Sequence, residues 1–296
     1  MLPTALLPTD DLQAAVVELS RPYLDRGLVA LYAHGSAAGG ETDAWSDLDL
    51  GLIREPSEEA HLAAREWLLE VEKRFEHRVD PLAASRDELA ANTWMLTYLR
   101  HSLLARSRLL LGQDIRSEIA RPSEHFMRLS VAYVGMTWLR RFYDIIRFEP
   151  FALPTDRPAQ ALDDFPHGNA AWQFSAGLMQ LVRATLFLET RRYCEGRKEV
   201  LALARQQGDG RLVAWVEEAL AVRREFPRFG EIPTDSERLA RLAEAIPELA
   251  ERFLAALAAH DLVDPTYEGL GGSAYEPDGA RREQPPEDVT FSRSEA

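Results

Sequence analysis

The sequence predicts a small α/β domain, a mixed sheet with flanking helices, followed by an all-α helical bundle. Three observations predict it. Short apolar runs with strand-like character are confined to the chain before Ser85, and long apolar stripes at helical spacing dominate after it. The length of 296 residues suits two domains of ordinary size. The α/β part is expected over residues 1–110, the helical part over 111–262 and a disordered acidic tail over 263–296.

The elements follow in order. Thr9 is placed to cap a first helix in which Leu12, Val16, Leu19 and Tyr23 recur at helical spacing, and Pro22 and Gly27 mark its end. Leu28 to Ala33 is an apolar run bounded by glycines, the pattern of a buried strand. Residues 37–46 are small, polar and turn-like. In the next run, Leu48, Leu50 and Leu52 alternate with Asp47, Asp49 and Gly51, so a strand puts the leucines on one face and the aspartates on the other.

A helix from Ser57 to Phe75 presents Ala64, Leu68, Val71 and Phe75 as its buried stripe. Arg78 to Leu82 reads as a third strand, with Pro81 placing it at the sheet edge or marking its end. Beyond Ser85 the pattern turns helical, with one stripe from Met127 to Ile145 and another from Phe174 to Leu188. A proline- and aspartate-rich loop is expected between them at 149–169. Thr234-Asp235-Ser236-Glu237 has the spacing of a capping box and opens a last helix, in which Pro247 is placed to introduce a kink. From Asp264 the chain is rich in glycine, proline and charge.

Composition narrows the function classes. A formal net charge of -14 argues against a broad nucleic-acid surface, whose affinity comes from lysine and arginine neutralising phosphates. Part of that charge sits in the tail, where eight acids face three arginines, so the folded part is less acidic than the total. A small or cationic substrate suits it better, and a protein acceptor stays open. The one cysteine, Cys194, excludes a multi-cysteine zinc site and reads as a buried thiol. Met1 to Thr9 lacks the pattern of a secretory signal, and no run of about 18 apolar residues occurs. A cytoplasmic protein without membrane contact is the expectation.

The chemistry concentrates around Asp47 and Asp49. Carboxylates at i and i+2 on a strand point the same way, their Cα atoms about 6.5–7 Å apart. Hard oxygen ligands select magnesium or manganese, which keep several waters and take further ligands from phosphates. In two-metal phosphoryl chemistry a third carboxylate commonly completes the first site, and Asp80, on the third strand, is the candidate. Glu76 is a weaker alternative. Gly35 lets backbone approach a phosphate closely, and the Ser36 hydroxyl with adjacent N–H groups supplies the donors that an acidic site lacks.

The run His34-Gly35-Ser36-Ala37-Ala38-Gly39-Gly40, a spacer, and then Ser46-Asp47-Leu48-Asp49-Leu50 resembles the signature of the polymerase-β-like nucleotidyltransferase superfamily. A domain of that kind followed by helices is similar to the aminoglycoside adenylyltransferases of the streptomycin and spectinomycin type. The resemblance implies an α/β nucleotidyltransferase domain and a helical domain that closes over it. It implies transfer of AMP from ATP to a hydroxyl of a small, aminoglycoside-like acceptor, with Mg2+ or Mn2+ held by Asp47, Asp49 and Asp80. Gly35, Ser36 and Ser46 would bind the nucleotide, joined by Arg183 on a long helix and Lys198 at the start of the next. The acid that takes the acceptor proton would be Asp80, where glutamate is usual in the antibiotic-modifying enzymes. Two alternatives stand beside this reading: a minimal nucleotidyltransferase of the toxin-antitoxin type acting on a protein or tRNA, and an inactive nucleotide- or partner-binding module.

Overall fold

The computed structural model describes residues 9–40, 46–75, 79–91, 94, 96–148, 170–225 and 237–260. The loop expected at 149–169, Glu76, the start of the capping box at Thr234 and the acidic tail lie outside the described residues, as does the side chain of Thr9.

Helix α1 (Thr9–Ser20) runs into a 3-10 turn (Arg21–Arg26) that Gly27 closes at φ 90°. Strand β1 (Leu28–Ala33), a one-turn helix α2 (Gly35–Ala38), β2 (Leu48–Arg54), α3 (Glu58–Phe75) and β3 (Val79–Ser85) follow, then α4 (Arg86–Ala90), α5 (Thr97–Ala105) and β4 (Arg108–Gly112). The sheet order is β3-β2-β1-β4. β1 is antiparallel to β2 and to β4, whereas β3 is parallel to β2, so α3 is the crossover between them. Pro81 lies mid-strand, tolerated because β3 is an edge.

The alternation in β2 sorts its side chains as expected. Leu48, Leu50 and Leu52 are buried with Leu12 and Val16 of α1 and Ala63, Trp67, Val71 and Phe75 of α3. The opposite face packs Tyr32, Ile53, Leu89, Leu99, Leu103 and Ile115. A side chain at Gly51 would crowd Leu103 at 3.2 Å and Leu99 at 3.4 Å, so α5 lies against the same face as Asp49, one step further along the strand pattern.

Strand β4 is an addition to the sequence reading, which continued the helical pattern through it. Arg108-Leu109-Leu110-Leu111-Gly112 has no alternation, and leucine is a good helix former. The free edge of β1 decides its conformation. Gly112, at φ 85°, then turns the chain where a side chain would strike the Val29 backbone, and Val29 O accepts the Gln113 N–H at 2.9 Å.

The remaining helices are α6 (Glu124–Phe148), α7 (Ala170–Thr190), α8 (Arg197–Gln206), α9 (Gly210–Glu225) and α10 (Glu237–Ala258), the last containing Pro247. α7 is the hub, packing against all four others, and buries Leu178, Leu181, Val182, Leu186 and Leu188. Rings seat on bare glycines at two crossings: Phe253 on Gly135, and Phe142 with Trp138 on Gly177. Cys194 is buried and free. No helix among the described residues is long and apolar enough to cross a membrane.

Candidate active site

The site is built at one end of β2. The backbone N–H of His34, the residue after β1, donates to Asp49 O at 3.0 Å and fixes the turn out of β1 against β2. Gly35 follows at φ 60°, and a Cβ there would overlap the Asp49 carboxylate. Glycine is therefore required twice over, by its backbone conformation and by the space the carboxylate occupies. Ser36 sits half-buried in the single turn of α2.

Asp80 pairs directly with Asp49 in the parallel register of β3 and β2, so their side chains share a face. Asp47 stands just before β2, half-buried like Asp49, and Asp80 is exposed at the rim. The three act on one another. Burial holds the Asp49 carboxyl well above the usual range, and the charges of Asp47, Asp80 and Glu195 add to that while Arg183 opposes it. Asp80 is raised as well, first by loss of hydration around its carboxyl and then by the charge of Asp47. Among the described residues no three His, Cys, Asp or Glu side chains converge as a ready-made metal cage.

Behind the turn, the His34 ring is buried and neutral, its pKa lowered to about 4 chiefly by burial, with the Leu50 backbone working weakly the other way. Ser46, buried before β2, accepts from Arg197 Nη2 at 3.5 Å. Lys198, the next residue, is exposed in the first turn of α8. Arg197, one position before the lysine that the sequence singles out, thus links α8 to the chain that enters β2.

Arg183 is buried on α7. Its Nη1 donates to Gln180 Oε1 at 2.9 Å and its Nη2 to the Glu195 carbonyl at 3.0 Å, while the guanidinium lies 5.9 Å from the Tyr193 ring centre. Burial works against its charge, but Tyr193, Tyr98 and Glu195 outweigh it, so the cation is kept. The Tyr193 phenol is pushed up to about 12, again mainly by burial. With Tyr98, Met127, Val131 and Gln180, these two residues wall a recess beside the site.

Sequence reasoning missed Glu195, Tyr98, Arg106 and Arg197. Glu195 is the clearest of them. Its side chain, 7% exposed, lies 3.2 Å from His101 Nε2 and 3.4 Å from Ser102 Oγ, both on α5, and its charge is felt at Asp49. No local pattern announces such a residue, because it sits in the connection between α7 and α8 and its serine partner is 93 positions away.

The mixed four-stranded sheet with its flanking helices, followed by the later helices, shares its fold with a solved adenyltransferase. Among solved structures, spectinomycin adenyltransferase AAD(9) from Enterococcus faecialis, with ATP and spectinomycin, superposes at a TM-score of 0.53 with 12% identity, covering 81% of this chain and 98% of that one. A toxin-antitoxin structure with AMP-PNP aligns over 46% of this chain and 92% of its own, at 16% identity and a TM-score of 0.26, too low to bear on the fold. No protein-family model matches the sequence, and no curated protein matches it significantly.

Proposed function

We propose that this protein is a metal-dependent nucleotidyltransferase that transfers AMP from ATP to a hydroxyl of a small acceptor and releases pyrophosphate. The observation that carries the proposal is the parallel register that pairs Asp80 with Asp49, two residues beyond Asp47, with the Asp49 carboxylate directly against the glycine turn at Gly35. The fold shared with an adenyltransferase solved with ATP supports it.

The donor set fits magnesium or manganese: all carboxylate oxygen, with crowded negative charge that a divalent cation would relieve. When bound, such ions neutralise phosphate charge and polarise the reacting oxygens. Asp47 and Asp49 are assigned to hold them. Asp80, exposed at the rim with its carboxyl raised, is assigned to complete the metal site or to accept the acceptor's hydroxyl proton. The acceptor oxygen bonds to the α-phosphorus, the bond to the bridging oxygen breaks, and pyrophosphate carries that electron pair away. Gly35, Ser36 and Ser46 hold the phosphates from the β2 side, and Arg183 and Lys198 do so from the helical half, which covers the cleft and selects the acceptor.

An aminoglycoside-like acceptor is the leading assignment, in keeping with the acidic charge and with a fold neighbour solved with spectinomycin. The test is incubation with α-labelled ATP, Mg2+ and a panel of aminoglycosides, tRNA and cell lysate. Label on a small acceptor, lost in Asp47→Asn and Asp49→Asn, is the expected result. Label confined to protein or tRNA overturns the small-acceptor assignment. Label unaffected by either substitution overturns the site.

A further inference from the structure

We infer that Arg106 is a positioning residue for the turn Gly35–Gly40, setting the affinity of that turn for a nucleotide polyphosphate; the inference rests on the nucleotidyltransferase reading. Arg106 lies just past the end of α5, its side chain 23% exposed. Its Nη2 donates to the Gly39 carbonyl at 2.8 Å, and its Nη1 lies 3.5 Å from Glu199 Oε1 on α8. The other Glu199 oxygen accepts the backbone N–H of Glu195 at 2.9 Å and of Gly196 at 3.4 Å. One guanidinium therefore joins the turn after β1 to the start of α8, the two segments assigned above to the phosphates.

Gly39 shows that the seat is shaped for this side chain. Its backbone is ordinary right-handed helical, φ -90° and ψ -2°, which any residue adopts, so conformation does not demand glycine there. A Cβ on Gly39 would instead overlap Cζ, Nε and Nη2 of Arg106, so the missing side chain is what lets that flexible head group lie where it does. The contrast with Gly35, whose positive φ demands glycine by itself, gives Gly39 a separate reason for its identity. Arginine suits the task better than lysine, since a planar fork serves a carbonyl and a carboxylate at once from fixed directions.

The arrangement makes an unusual test available, because Gly39→Ala evicts the Arg106 head group without altering Arg106 itself. Binding of MgATP to the full chain is measured by calorimetry for wild type, Arg106→Gln, Arg106→Lys, Gly39→Ala and the Gly39→Ala/Arg106→Gln double variant, each with its thermal melt. The expected result is about tenfold weaker binding in Arg106→Gln and in Gly39→Ala, with melting temperatures close to wild type. The double variant is expected to be no weaker than the worse single one, because both remove the same contact. Arg106→Lys should behave like the glutamine variant, since retained charge does not restore the fork.

Wild-type affinity in Gly39→Ala, or losses that multiply in the double variant, would overturn the inference. So would a lowered melting temperature with unchanged MgATP affinity, which marks a purely structural brace. A wild-type protein that binds no MgATP overturns the nucleotidyltransferase reading and this inference together, whereas one that binds it equally well in every variant overturns the inference alone.

Discussion

At the residue scale, the site turns on what Gly35 leaves out. At φ 60° a non-glycine residue costs about 1–2 kcal/mol, and the added methyl of Gly35→Ala overlaps the Asp49 carboxylate. A misplacement of about 1 Å can cost about 100-fold in rate, so under the role proposed for Asp49 we expect Gly35→Ala to lose about 100-fold in kcat/KM as well as melting temperature. Steady-state assays and melts check both. Asp49 carries a pH prediction. Burial, then Asp47 and Asp80, raise its carboxyl, so the folded chain holds this proton more tightly than the unfolded chain does. Its contribution to stability is full below the ordinary carboxylate value and is lost as pH rises through the raised one. Asp49→Asn should therefore raise the melting temperature in EDTA at neutral pH and change it little near pH 4, as melts across that range would show.

At the element scale, packing overrides propensity in several places. Gly177 lies inside α7, where alanine is the better helix former by about 1 kcal/mol, yet a methyl there would meet the rings of Phe142 and Trp138. Gly177→Ala is expected to destabilise by about 1–3 kcal/mol in urea unfolding, the cost of overpacking. On the sheet, Tyr32 of β1 donates to Asp114 at 3.0 Å and accepts the Ile115 N–H at 2.8 Å. Tyr32→Phe leaves that buried N–H without its acceptor, and a loss of about 1–3 kcal/mol by the same measurement is expected.

Propensity and packing also divide what the sequence makes legible. The leucine–aspartate alternation of β2 is readable because strand side chains alternate regardless of context. Asp80 is placeable beside Asp49 because a strand after a helical crossover pairs in parallel with its predecessor. Strand β4 is not readable, since Leu109 to Leu111 is apolar without a period and only the edge of β1 makes it extended. Arg106 and Glu195 are invisible for a related reason: their chemistry lies in partners distant in the chain, Gly39 for one and Ser102 for the other.

At the scale of the whole molecule, the apolar interior is divided into two clusters on the faces of the sheet and a third among the later helices, and a short strip of chain adds polar links between them. The sheet has its own apolar clusters and the helices theirs, and Glu195 to Glu199 carries polar links between the halves: Glu195 to His101 and Ser102, Arg197 to Ser46, Glu199 to Arg106. Weakening that strip should uncouple the halves. Glu195→Ala, which strips His101 and Ser102 of their buried partner, is expected to broaden the calorimetric transition, the van't Hoff enthalpy falling below the calorimetric one. A transition as sharp as wild type would show that the apolar contacts between α5 and α6 suffice. The strip also sets an order of events during synthesis. Translation proceeds at about 5–20 residues per second, so the carboxylates of β2 and β3 leave the ribosome on the order of 5–20 s before the chain that covers them. For that interval the sheet end of a nascent chain lacks its later partners, and only when α8 has emerged can Arg197 reach Ser46 and Glu199 reach Arg106.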